Sequence, residues 1–222
     1  MNDKPFIDWG WVSRHLDDVA ELIGQHLQLT AIPVAIGFLI ALVLATWATR
    51  HRRWIGPITA FTGLLYTVPS LAAFALLIPI TGLSLLTAII PLTTYTLLIL
   101  VRNIVAGFES VPADVLEAAE GMGYTSRQRL WRIELPLAVP LMIAGLRLAV
   151  VTTIGLATVA AIIGDQFGGL GQFITEGLQT SFPTKIYLGA GLSLALAFVA
   201  DFLFIRLERL ITPWSRSRAG GR

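Results

Sequence analysis

The 222-residue sequence has no cysteine. Disulfides, thiol catalysis and thiolate metal sites are therefore excluded, and the usual clue to redox compartment is missing. Lysine is nearly absent too, with only Lys4 and Lys185, and neither follows a glycine. A nucleotide-gripping loop needs that glycine–lysine step. The glycines at Gly164, Gly168, Gly169 and Gly171 are thus expected to form an outer gate, a docking surface or a plain turn instead. Histidine occurs three times, at His15, His26 and His51, and none is expected inside a membrane span. No metal site or Ser–His pair can be built from them in a bilayer. Charge of either sign is scarce: 14% of residues are charged and 55% hydrophobic, with a mean hydropathy of +0.74. A soluble domain carries about 25% charged residues, so the surplus apolar surface calls for lipid as its solvent. The pI is near 9.3, but a formal net charge of +2 is too small to argue for nucleic acid. A cleavable signal peptide is not expected. Asp3, Asp8, Asp17 and Asp18 stand where basic residues would precede its apolar run.

Long apolar runs fill the rest. A helical span needs about 20 apolar residues to cross the ~30 Å hydrocarbon layer. Residues 27–49 are uncharged, and 54–101 are uncharged over a length sufficient for two spans. The spacing predicts five spans near 27–49, 57–80, 84–106, 137–163 and 186–210, within a single membrane domain covering 1–222. The predicted fold is all-α and polytopic. Arg50, Arg52, Arg53, Arg127, Arg129, Arg132, Arg216, Arg218 and Arg222 flank one side, against Lys4, Arg14 and Lys185 on the other. Basic residues stay in the cytosol, so the N-terminus is expected outside and the C-terminus inside. Residues 11–29 carry apolar side chains near helical spacing with charges between, which predicts either a separate amphipathic surface helix or a polar lead-in.

The stretch ESVPADVLEAAEGMGYTSRQRLWRIELPLAVP, residues 109–140, lies on the predicted cytosolic side. Pro112 suits a first helical turn, capped by Ser110 or Val111. Gly121 and Gly123 suit a helix stop. Thr125 with Gln128 reads as a capping box opening a second helix, and Pro136 marks entry into the fourth span.

Here the sequence resembles the permease subunits of binding-protein-dependent ABC importers. Their cytosolic signature is matched without a gap by Glu117, Ala118, Ala119, Gly123, Ile133, Leu135 and Pro136. The resemblance implies the type I importer permease fold and a coupling helix that docks on a separate cytosolic ATPase dimer. ATP and magnesium would be bound there, leaving this chain no cofactor and no catalysis. Small Ala118 and Ala119 suit a close partner surface, Gly123 a sharp turn, and Glu117 a basic partner group. Arg127, Arg129 and Arg132 are expected as rim contacts or as topology anchors. Three further stretches, residues 26–45, 67–82 and 163–180, resemble permeases for glycine betaine, choline and carnitine, with amino-acid permeases as the alternative. The implied partners are a second copy or related permease and an extracytoplasmic binding protein, in a bacterial inner membrane.

Tyr66, Pro69, Ser70 and Tyr95 are candidate pathway residues, because aromatic faces suit quaternary ammonium groups; packing is the competing role. Arg147 and Asp201 lie deep in spans four and five, where an unpaired charge is expensive. They are expected to neutralise each other or to pair across a dimer. Arg102 and Arg206 can snorkel, and Gly145, Gly155 and Ala149 suit close helix contact. The rival readings are an ion-coupled secondary transporter, a channel and an intramembrane enzyme. Five spans and the signature at residues 117–136 disfavour the first.

Overall fold

A computed structural model describes residues 7–164 and 167–211. The basic residues Arg216, Arg218 and Arg222 lie outside them, as do Asp165 and Gln166 of the glycine-rich stretch. Helix α1 is Trp9–Arg14, opened by the Asp8 carboxylate accepting from the Trp11 N–H at 2.9 Å. Helix α2 is Leu16–Arg50. Its 35 residues span about 52 Å at 1.5 Å each, well beyond a hydrocarbon layer. The stretch 11–29 is therefore not a separate surface helix: all but its first residues continue into the first span. Nothing between residues 16 and 26 breaks the helix, and Leu22 finds Leu170 and Phe173 to bury against.

A short 3-10 turn, Arg52–Trp54, leads to α3, Ile55–Thr67, and α4, Ser70–Thr81. The second span was expected as one rod over 57–80; instead α3 and α4 are bent by 88°. Pro69 causes the break. It has no N–H and its ring forces the preceding residue out of the helical region, and Val68 sits at φ −64°, ψ 126°.

Helix α5 is Leu85–Glu109, α6 is Ala113–Gly121 and α7 is Ser126–Arg129. A π-helical turn, Leu130–Glu134, joins α7 to α8, Leu135–Ala157. A 3-10 segment, Thr158–Ile163, then precedes α9, Leu170–Gln179, and α10, Pro183–Ile211. Among the described residues all regular elements are helical.

Two clusters define the ends of the bundle. At one end Ala45 of α2, Ile104 and Phe108 of α5 and Ala138 and Met142 of α8 bury together, with Ile55 and Ile58 of α3 beside them. At the other, Leu29, Ala88, Leu92, Ala157 and Ile163 bury around Phe74 of α4. Helix α3 thus starts at the end where α2 stops, and α4 reaches the end where α5 begins. The bent pair carries the chain across once, so the four long helices and this pair make five passages. Small residues set the spacing: a Cβ on Gly107 would lie 2.9 Å from the Ala138 carbonyl, and one on Gly145 2.5 Å from the Asn103 Cβ. Gly155, by contrast, faces open space. Helix α10 lies at the edge against α8 and α9, with Leu194, Phe198, Phe202 and Leu203 more than half exposed. Such a surface suits lipid or a neighbouring subunit.

Candidate functional site

The ends of α2 and α5 and the start of α8 meet at the face that carries α6 and α7. Helix α6 opens at Pro112, which takes the cap position itself at φ −62°, ψ 141°; neither Ser110 nor Val111 caps it. It stops in a Schellman arrangement. Gly123 sits at φ +79°, its N–H reaches the Glu120 carbonyl at 2.9 Å, and the Tyr124 N–H reaches that of Ala119 at 3.1 Å. Gly121 lies inside the helix, so Gly123 alone makes the stop. The capping box of α7 is present: Thr125 accepts from the Gln128 N–H at 3.3 Å, and Gln128 accepts from the Thr125 N–H at 2.9 Å.

Of the signature residues, Ala119 is fully buried while Glu117, Ala118, Gly123 and Pro136 are exposed and Ile133 and Leu135 half-buried. Glu117 makes no hydrogen bond or ion pair among the described residues. Two exposed apolar side chains that the sequence reading passed over stand nearby, Met122 and Trp131. Both are large and apolar in a polar loop, and that was the available signal.

A charged cluster ties this unit to the bundle. Glu134 is buried, accepting from Arg50 Nη2 at 3.0 Å and from Arg129 Nε at 2.8 Å. Arg129 also pairs with Glu120 of α6. The hydrogen bond to Glu134, reinforced by both carboxylates against the cost of burial, holds Arg129 above its usual range. Arg129 is therefore engaged by two carboxylates of its own chain, whereas Arg127 and Arg132 are exposed. Glu134 lies just before α8, where the Leu135 N–H bonds back to Leu130. That five-residue step precedes Pro136, which has no N–H to continue the ladder.

The four pathway candidates meet at the α3–α4 break. Pro69 caps α4 and Ser70 is its first residue. Tyr66 and Tyr95 stand edge to face with centroids 6.0 Å apart. The Tyr95 hydroxyl donates to the Val68 carbonyl at 2.8 Å, satisfying a group that the bend releases. Tyr95 is buried and Tyr66 exposed. Arg147 and Asp201 form a two-point ion pair between α8 and α10 within one chain, with Nη2–Oδ2 at 2.9 Å. Arg102 is exposed and Arg206 lies over the Phe202 ring at 4.8 Å.

His26 takes a structural role that the sequence reading did not assign to it. It is fully buried in the first part of α2. The Leu170 N–H donates to its Nδ1 at 3.3 Å, so Nδ1 is the acceptor and Nε2–H donates to the Ile154 carbonyl at 3.0 Å. One neutral imidazole thereby joins α2, α8 and α9. The glycine stretch wraps it closely: Gly169 holds φ +48°, and a Cβ there would lie 2.9 Å from the His26 Cα. Gly168, Gly169 and Gly171 are buried and packed against neighbouring elements. Beside them, between α1, α2, α9 and α10, opens a cavity of about 770 Å³. No group of three metal-ligating side chains occurs among the described residues.

Residues 34–213 match the family described as binding-protein-dependent transport system inner membrane component. The chain is similar to the glycine betaine/carnitine/choline transport system permease protein OpuCB of Bacillus subtilis, 36% identical over 86% of this chain and 87% of that one. It is also similar to the osmoprotectant import permease protein OsmW of Salmonella typhimurium, at 37% identity over 88% and 92%. Among solved structures, an inward-facing MetNI methionine ABC transporter matches with a TM-score of 0.76 at 23% identity, covering 87% of this chain and 96% of that one. At that identity the likeness concerns the fold.

Proposed function

The chain belongs to the family of binding-protein-dependent transport system inner membrane components, and from that premise we propose that it carries an osmoprotectant such as glycine betaine, choline or carnitine inward. It is a multi-pass permease subunit of an ABC importer in the bacterial inner membrane. Relatives named for these solutes at 36–37% identity support the substrate class. The solved amino-acid importers share the fold at 23% identity or less, which speaks to the architecture and not to the solute.

The observation that carries the coupling role is the exposed ridge Glu117, Ala118 and Met122 on a helix stopped by Gly123. It projects from the face where α2, α5 and α8 converge. In our reading this ridge seats in a groove of a separate ATPase dimer in the cytosol, with Glu117 free to meet a basic group. Nucleotide-driven closure of that dimer moves α6, and the ion cluster around Glu134 passes the movement to α2 and α8. The N-terminus then lies outside, as the arginine distribution requires. An extracytoplasmic binding protein delivers the solute, and a second permease copy or a related one completes the pathway.

The test is uptake of labelled glycine betaine into liposomes holding the assembled importer, with its binding protein added. Uptake should require ATP. Gly123→Trp should abolish it while ATP hydrolysis continues, since φ +79° is strained for any side chain and the indole would add bulk to the exposed ridge. Uptake driven by an ion gradient without ATP would overturn the reading in favour of a secondary transporter, and preferential uptake of methionine would overturn the substrate class.

A further inference from the structure

The cavity of about 770 Å³ lies at the end of the bundle opposite α6. In it the chain has already seated an ammonium group. The Lys185 Nζ lies 5.3 Å from the centroid of the Trp11 ring and pairs with Oε2 of Glu176. Both partners are held in place. Trp11 stacks on His15 at 4.1 Å and meets the edges of Phe173 and Phe182 at 6.0 and 5.6 Å. Gln172 donates to the other oxygen of Glu176 at 2.7 Å. The ring and the carboxylate therefore persist whatever cation lies between them.

The cavity is not neutralised by its one lysine. Asp18 and Glu21 also line it, so three carboxylates face a single ammonium. The Gln25 amide points its NH2 at Glu21 at 3.2 Å, which leaves its carbonyl oxygen buried at the wall without a partner. A buried acceptor with nothing to accept is costly, so this wall is held at some expense to the fold.

We propose that this cavity is a receiving site for a small quaternary ammonium solute, and that Lys185 is its tethered place-holder. The inference rests on the osmoprotectant reading above and adds a site on the permease itself. A trimethylammonium group has no N–H to give a carboxylate, and it loses far less hydration than a primary ammonium does on moving onto an aromatic face. It takes the Trp11 face and the field of Glu176, Asp18 and Glu21, while Lys185 swings out to solvent at the head of α10. Because the lysine competes, binding is weak, as a hand-over site requires. Release of Lys185 also loosens the tie between α9 and α10, which links occupancy at the outer face to the helix bearing Asp201.

The experiment is equilibrium binding of radiolabelled choline to the assembled importer in lipid nanodiscs, without the binding protein and without nucleotide. Saturable binding is expected. Lys185→Met should tighten it about tenfold and Trp11→Ala weaken it about tenfold, each the equivalent of about 1.4 kcal/mol. Trp11→Phe, which keeps an aromatic face, should retain binding. Asp18→Asn and Glu21→Gln change exposed side chains and should weaken binding without loss of assembly. The proposal is overturned if choline does not saturate, if Trp11→Ala binds as the native chain does, or if Lys185→Met weakens binding. Should glycine betaine uptake remain ATP-dependent while choline fails to bind, this site falls and the permease function stands. Should choline bind while uptake is found to favour methionine, the transported class falls and the site stands.

Discussion

A methyl group added to Gly171 would run into the carbonyl of Thr158, while one added to Gly155 would meet nothing within 4 Å. Overfilling a tight contact costs about 1–3 kcal/mol. Gly171→Ala should therefore lower the thermal midpoint of the detergent-purified protein measurably, and Gly155→Ala should leave it unchanged, as read by tryptophan fluorescence. Glu176 supplies a pH prediction. Burial would raise its pKa, but the hydrogen bonds from Lys185 and Gln172 and the lysine charge outweigh that and hold it below its ordinary 4.5. A depressed carboxylate stabilises the fold fully above its unfolded pKa and loses that contribution as pH falls through the folded value. The α9–α10 tie should thus be insensitive to pH from neutrality down to about 5 and weaken only in more acid solution. In Glu176→Gln the neutral-pH stability should be lower and the acid loss smaller, in melts recorded across that range. His26 shows why single residues are hard to read from a string. Its partners are the carbonyl of Ile154 and the N–H of Leu170, 128 and 144 positions away, and no local pattern announces a contact of that range.

At the scale of elements, long apolar runs were legible because hydropathy needs no partner to be measured. The turn chemistry of Gly123 and the Thr125–Gln128 box was legible because a left-handed stop and a capping box are local. The break at Pro69 carried a local signal too, but prolines at Pro33, Pro91 and Pro140 lie inside unbroken helices. Surrounding helices and local adjustment can satisfy the groups a proline frees, so its effect is decided by neighbours. The Glu134 cluster is the element-scale link of greatest consequence, since Arg50 and Arg129 bring α2 and α7 onto one carboxylate and Arg129 also holds Glu120 of α6. Glu134→Ala would leave Arg50 and Arg129 facing each other across the space it vacates. The expected outcome is a fall of about tenfold in solute moved per ATP hydrolysed, corresponding to roughly 1.4 kcal/mol of lost coupling. Glu134→Asp should recover part of it. Equal loss of uptake and hydrolysis would assign Glu134 to stability alone.

The whole molecule presents the exposed ridge of α6 at one end and its aromatic, acidic cavity at the other, about one long helix apart. The absence of cysteine makes sidedness directly measurable. A single cysteine at Ser13 should react with a membrane-impermeant maleimide in intact spheroplasts, and one at Ser126 only after permeabilisation; the reverse pattern would invert the proposed topology. Composition alone decided that lipid is the solvent, because so few charges cannot cover a soluble surface. Arginine placement pointed to the cytosolic face, and the fixed intervals from Glu117 to Pro136 carried the family resemblance that implies a coupling helix there, since both are properties of the chain order. Tertiary structure decided the rest: that α3 and α4 make one bent crossing, that Arg147 meets Asp201 within the same chain, and that Trp11, Glu176 and Lys185 share a cavity. Those facts depend on which helices become neighbours. Adjacency between residues tens or hundreds of positions apart is set by the packing of the bundle, not by any spacing along it.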